Sequence, residues 1–188
     1  MKAPLRQGQL QHSTTAGCGL AIGRYPRFSY DARGGGGIGE LGEPRGSGPR
    51  SVRFEPSNLE IPPLNGRTTR VLGVPLPPGL TIAISPDELA GSVEPATGWM
   101  ELRFRARFRF SVTGLYQAPD LQIDTLLSTG PVRGRRHRGT GQAVGPDGQA
   151  LLVGVAMVPP CGEAWLDRFL GLPDEALAML RCSFAPPL

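Results

Sequence analysis

The chain has 188 residues, which allows one domain and a tail. Its 27 glycines and 20 prolines make a quarter of the residues and imply many turns, unstructured ends, or both, while the net charge of +4 is modest. Three cysteines, at 18, 161 and 182, do not make a disulfide framework, so a reduced compartment follows, and no apolar run approaches the ~20 residues that a membrane-spanning helix needs.

Residues 1–30 hold Lys2, Arg6, Arg24 and Arg27, several Ser and Thr, and no Asp or Glu. That composition, without a continuous apolar core, reads as an organelle transit peptide. Residues 34–50 contain eight glycines, including Gly34 to Gly37, and read as a flexible linker. No strand precedes them and no Gly-Lys-Ser/Thr follows, so they are not a phosphate loop. The expected division is 1–48 as transit peptide and disordered linker, and 49–188 as a single β-rich domain.

Ser51–Glu55 alternates and predicts the first strand. Pro56-Ser-Asn58 turns the chain, Leu59–Ile61 resumes an extended course, and Arg67–Leu72 predicts a short strand after the Asn65-Gly66 turn. Pro75, Pro77 and Pro78 exclude both a helix and a central strand, so this connection belongs at a sheet edge. Leu80–Ile84 predicts a strand, Pro86–Leu89 one helical turn, and Gly91–Glu94 a short strand joined to the next by the tight turn Pro95–Gly98.

The clearest signal is Trp99–Thr113. Met100, Leu102, Phe104, Ala106, Phe108, Phe110 and Val112 share one parity, and Glu101, Arg103, Arg105, Arg107, Arg109 and Ser111 the other. This is a half-buried antiparallel strand with one apolar and one charged face. Its length predicts a bend or bulge near Ala106, where the apolar face is thinnest. Leu121–Leu127 predicts the return strand, which sets Asp124 among the arginines.

Arginines about 7 Å apart along one face repel, and something must offset that. Solvent with cross-strand acids such as Asp124, Glu94 and Glu101 is one answer. The other is a surface for anionic lipid headgroups or an acidic protein partner. Nucleic acid is disfavoured because no aromatics interleave with the arginines on that face. Arg133, Arg135, Arg136 and Arg138 in the segment Pro131–Arg138 extend the same basic surface.

Gln149–Val158, after the Pro146–Gly148 turn, is apolar on both parities and predicts a strand covered on both sides, with C-terminal helices as one cover. Glu163–Leu170 predicts a helix ended by Gly171, and Pro173–Leu180 a second one, with Trp165 and Phe169 in the core. Arg181–Phe184 adds a last strand. Whether Cys161 and Cys182 approach one another stays open.

The chain has no Gly-x-Ser-x-Gly elbow, phosphate-binding loop, Cys-x-x-Cys or His-Glu-x-x-His. His137 has no second metal-ligating residue at a useful spacing. No catalytic constellation, metal site or cofactor is implied. Asn65, Arg67 and Arg70 form a candidate anion pocket in the Pro62–Pro78 connection.

The run Leu59–Gly79, with Pro-Pro-Leu-Asn-Gly-Arg-Thr-Thr-Arg at its centre, resembles a signature of an uncharacterised family found in plastids of plants and algae and in cyanobacteria. Leu115–Pro119, Leu152–Ala156 and Phe169–Glu175 resemble further parts of it, so the likeness covers residues 52–184. The resemblance implies a chloroplast location, stromal or peripheral to the thylakoid membrane, and carries no assigned activity or catalytic residues. The basic Arg133–Arg138 loop departs from it.

The expected architecture is mainly β, an antiparallel sandwich or partly open barrel with one or two C-terminal helices over one face. Three functional readings follow. The first is a non-enzymatic accessory or assembly protein using the arginine face to meet the thylakoid surface or an acidic partner. The second is a carrier of a hydrophobic small molecule or lipid held between sheet and helices. The third is an enzyme acting at Asn65, Arg67 and Arg70.

Overall fold

The computed structural model describes residues 5–186 and 188. In chain order the strands are β1 (Gln9–Thr14), β2 (Cys18–Ile22), β3 (Phe28–Tyr30), β4 (Gly36–Leu41), β5 (Arg50–Phe54), β6 (Thr69–Val71), β7 (Val74–Pro75), β8 (Leu80–Glu94), β9 (Trp99–Val112), β10 (Tyr116–Gln117), β11 (Leu121–Ser128), β12 (Pro131–Arg133), β13 (Arg138–Thr140), β14 (Gln149–Val158) and β15 (Asp174–Ala185). A single α-helix among the described residues, α1 (Ala164–Leu170), precedes β15, and Pro56–Asn58 forms a 3-10 turn. Among the described residues, no helix is long and apolar enough to cross a membrane.

The frame is the antiparallel trio β8, β9 and β11. β9 carries the alternation that its sequence dictates, with Met100, Leu102 and Ala106 buried and Arg103, Arg105 and Arg109 exposed. Its ladder with β8 runs from Leu80↔Val112 to Glu94↔Trp99. The expected helical turn at Pro86–Leu89 is instead part of β8. Pro86 faces Ala106 and Glu88 faces Arg105, so Asp87 is the extra residue of a bulge. The bulge sits opposite Ala106 but on the neighbouring strand, at the proline, which has no N–H to give the ladder.

One antiparallel sheet coils round in the order β1-β4-β5-β8-β9-β11-β14-β15-β2-β3-β6-β7. β15 pairs along one edge with β14 from Asp174 to Ser183. Along its other edge Ala176–Met179 pair with β2, and Cys182–Ala185 pair with β1. At the lower end the path therefore returns on itself through β1. At the upper end it runs out into β2, β3, β6 and β7, and reaches β8 only through the isolated bridge Leu64↔Ile82. The whole is an open ring, not a closed barrel. The lower end is filled: Leu10, Val52, Phe54, Val93, Met100, Leu102, Leu152 and Phe184 pack into one buried cluster.

Three expectations need correction. Residues 34–50 are not a disordered linker. Gly36–Leu41 is β4, paired with β1 and β5, and the glycines are there for close approach. Gly36 has φ 128°, and a Cβ on it would lie 2.1 Å from the His12 carbonyl oxygen. One on Gly39 would lie 2.8 Å from the Phe54 ring. Residues 9–30 likewise supply β1–β3. The second C-terminal helix is absent, because residues 174–185 form β15 and find ladder partners on both edges. The outer cover of β14 is not helical either: the β12–β13 hairpin lies over it, with Val132 against Val153, Leu177 and Ala21.

Two outcomes follow from this arrangement. A Gly36→Ala substitution should destabilise the fold by about 2 kcal/mol or more in denaturant titration, since both the conformation and the space exclude a methyl group. A chain lacking residues 1–48 loses β1–β4 and should show no cooperative thermal transition by circular dichroism, whereas a dispensable leader would leave the transition unchanged.

A candidate ligand cavity

The upper half of the ring encloses a cavity of about 430 Å³. That volume lies within the roughly 300–1,000 Å³ usual for small-molecule sites. Two features of the sequence create it. β9 turns Phe104, Phe108 and Phe110 inward, and β14 and β15 turn Gly154, Ala156, Ala176 and Ala178 inward. Small residues at interior positions leave volume that large ones would fill. The three phenylalanines are therefore only half-buried, while Met100 and Leu102, on the same face lower down, are fully buried.

The lining is almost entirely apolar. Leu89, Leu102, Leu127 and Leu152 form its lower end, and Ile82, Ile84 and Ile123 stand on its walls. The polar side chains that reach it are engaged elsewhere. Thr14 Oγ1 donates to the Ala32 carbonyl at 2.6 Å and Thr125 Oγ1 to the Val155 carbonyl at 2.9 Å. The Tyr30 hydroxyl donates to the Pro62 carbonyl, and burial, aided by nearby Cys18 and Asp31, pushes that phenol well above its ordinary pKa. The seam between the start of β4 and β8 is crossed by residues 60–64, where Glu60 and Gly36 exchange backbone hydrogen bonds of 2.8 Å and Leu64 bonds to Ile82. The Pro62–Pro63 segment is thus a strap over the open side of the ring.

His12 is the exception. It points inward from β1, buried between Phe54 and Phe184, with ring centroids 5.8 Å and 5.2 Å away. Both ring nitrogens are buried without a partner among the described residues. Burial pushes its pKa down to about 4, so the imidazole is neutral in the folded protein at neutral pH.

The arginines of β9 are each matched by a carboxylate. Arg103 makes a two-point pair with Asp124, at 3.2 and 2.7 Å, and Arg109 does so with Asp120, at 2.7 and 3.0 Å. Arg107 meets Asp87 at 3.0 Å and Arg105 meets Glu88 at 3.3 Å. The bulge supplies Asp87, and the ladder register supplies the rest. The guanidinium hydrogen bonds hold Asp124 and Asp120 below the usual carboxylate range. Such exposed pairs add little stability but cancel the charge of the face.

The basic segment folds as the β12–β13 hairpin around one carboxylate. Burial pushes Glu175 up, but backbone N–H groups of Arg136, Arg135 and His137 all donate to it, and together they hold it below its ordinary pKa. Arg136 pairs with Asp174 at 3.0 Å. Arg133, Arg135 and Arg138 are exposed, with no carboxylate partner among the described residues. The sequence marks the arginines for their side chains; in the fold, Arg135 and Arg136, together with His137, matter for their backbone N–H groups.

Asn65, Arg67 and Arg70 lie in and after the turn that leads into β6. The Asn65 carboxamide oxygen accepts from the N–H groups of Arg67 and Thr68, which makes it a turn residue, and Arg67 and Arg70 are exposed. Cys161 packs beside α1 and Cys182 in the lower core, so they are far apart in the fold and both are free. Burial pushes the Cys182 thiol up to about 12. Comparison of the chain with family models, with curated proteins and with solved structures finds no match.

His12 gives this site a pH signature. Its folded pKa of about 4 lies below the ordinary 6.5, so the unfolded chain binds the proton more readily. The contribution is fully present above about pH 6.5 and is lost as pH falls through that value toward 4, amounting to about 3 kcal/mol. Denaturant titrations across this range should show the decline, and a His12→Phe variant, which places a third ring between Phe54 and Phe184, should lack that component.

Proposed function

We propose that this protein binds a hydrophobic small molecule, or the acyl part of a lipid, inside the upper half of its ring. The observation that carries the reading is the apolar cavity of about 430 Å³, bordered by phenylalanines that face inward and stay half-buried. An apolar ligand would cover their remaining surface at about 25 cal/mol per Å². It would leave no polar group of the wall newly unpaired, because Thr14, Tyr30 and Thr125 already have protein partners. The ligand would lie within the ring of strands, not between a sheet and helices.

The rival reading, an anionic surface or acidic protein partner on the arginine face, loses its electrostatic motive when Arg103, Arg105, Arg107 and Arg109 each meet a carboxylate. The chloroplast location implied by the sequence resemblance belongs to the proposal as an accompanying inference. A processing site at residue 48 does not fit it, since residues 9–41 contribute four strands.

Fluorescence titration of the full chain with cis-parinaric acid tests the reading. Saturable binding at one site is expected. Ala156→Phe combined with Ala178→Phe should weaken it by about tenfold or more while keeping the thermal transition, because the new rings occupy the cavity. Changing the four β9 arginines to Gln should leave probe affinity unchanged. Non-saturable uptake, or equal affinity in the filled variant, would contradict it.

A further inference from the structure

We infer that the upper rim of the ring is a docking surface for a lipid bilayer bearing anionic headgroups. The strand registers bring the ends of five connections to one end of the molecule: β2–β3, β6–β7, β9–β10, β14–α1 and α1–β15. Large apolar side chains are exposed on those connections. Leu115 is 92 % exposed, Leu72 79 %, Val74 65 %, Phe169 58 % and Trp165 46 %. The lower end buries most of its apolar residues in a filled core, with Trp99 and Ile38 standing partly exposed outside it.

Two of these residues sit where turn chemistry gives no reason for them. Leu72 is the first central residue of the β6–β7 turn, with φ 50° followed by Gly73 at φ 81°. Such a position favours Asn, Asp or Gly, and a leucine there costs conformational energy and exposes an apolar side chain at the tip. The β9–β10 turn repeats the pattern, with Thr113 at φ 53° and Gly114 at φ 72°, and carries Leu115 immediately after it. Neither leucine stabilises its hairpin. Both project into whatever lies beyond the rim.

Trp165 and Tyr25 on the rim each have an apolar body and a satisfied polar tip. Trp165 Nε1 donates to the Tyr116 hydroxyl at 2.8 Å, and the Tyr25 hydroxyl donates to the Phe169 carbonyl. Trp and Tyr of this kind concentrate at the headgroup level of membranes. The charges of the rim agree. Arg24, Arg27 and Arg168 are exposed and have no carboxylate partner among the described residues. The rim's acids are mostly engaged: Asp120 with Arg109, Asp174 with Arg136, and Asp167 with the N–H groups of Cys161 and Gly162. Glu163 is the exception among the described residues. Apolar tips flanked by uncompensated cations match an anionic bilayer surface, in which the tips enter the interface and the guanidiniums meet phosphates.

The rim is also where the cavity ends, since Tyr25 and Phe169 both line it and stand exposed. Docking there would bring the cavity mouth against the acyl region. Docking itself stands on the rim alone; its connection with loading the cavity rests on the function proposed above.

The test is sedimentation of the full chain with vesicles of phosphatidylcholine alone and of phosphatidylcholine mixed with phosphatidylglycerol, at low and high salt. Binding to the mixed vesicles is expected, weakened by salt. Leu72→Asn with Leu115→Asn should reduce it about tenfold or more, and Asn suits the φ of position 72, so the fold is retained. Arg24→Gln, Arg27→Gln and Arg168→Gln should remove the preference for phosphatidylglycerol. In a Trp99→Phe background, Trp165 emission should move to the blue on adding vesicles. Cis-parinaric acid affinity, measured on the same proteins in the absence of vesicles, separates the two readings: the Leu variants should keep it. Absence of vesicle binding overturns the inference even if the probe binds. So does vesicle binding that ignores the rim variants but disappears when the four β9 arginines become Gln. A monomer–dimer equilibrium that Leu72→Asn dissolves, without vesicle binding, would assign the rim to a second copy of the chain and likewise overturn it.

Discussion

β15 has one edge and two partners for it. Its upper residues pair with β2 and its lower residues with β1, while its other edge stays on β14 throughout. Backbone N–H and C=O groups in a sheet must be paired, so the strand cannot leave either half bare. The division sends one branch of the sheet back through β1, β4 and β5 to the lower half of β8. It sends the other through β2, β3, β6 and β7, which never rejoins β8 by a ladder. A narrow, filled lower end and a wide, open upper end both follow from that fork, as does the need for the Pro62–Pro63 strap across the seam.

The two halves differ in how they satisfy their apolar faces. Below, Leu10, Phe54, Met100, Leu102 and Phe184 fill the interior as one buried cluster. Above, the same parity of β9 supplies Phe104, Phe108 and Phe110, but Gly154, Ala156, Ala176 and Ala178 are too small to meet them. An apolar void of this size forfeits dispersion contacts around its lining. A ligand restores them, and whatever binds the folded state alone raises its apparent stability by mass action. The charged exterior has the opposite character: each β9 arginine is compensated on the face itself, whereas the rim sets exposed apolar side chains beside the unpaired Arg24, Arg27 and Arg168.

The frame was legible in the sequence because β9, β11 and β14 state their faces plainly. The parity of Trp99–Val112 is the parity of the fold, and the return strand does bring Asp124 among the arginines, bonded to Arg103. Reading failed where a local pattern has two physical meanings. Glycine at 36, 37 and 39 looks like flexibility, but here it permits strands to approach more closely than a side chain allows. Residues 174–180 contain helix formers on both parities, and only pairing with β14 and β2 makes them a strand. Phe169 lies on the helical stripe of Leu166 and Leu170, yet α1 buries the leucines and leaves the phenylalanine outside. The cavity had a signal, the run of small residues at alternate positions of β14 and β15, but its meaning depends on knowing which face turns inward and that the sheet curls into a ring.

Native mass spectrometry of the full chain, purified without detergent and incubated with long-chain fatty acids and apolar isoprenoids, tests the central claim most directly. The account predicts one-to-one adducts that survive desolvation, are removed by organic extraction, and are absent from the Ala156→Phe, Ala178→Phe variant. A single bare mass under every condition, or adducts of equal abundance in the filled variant, would contradict an internal apolar binding site.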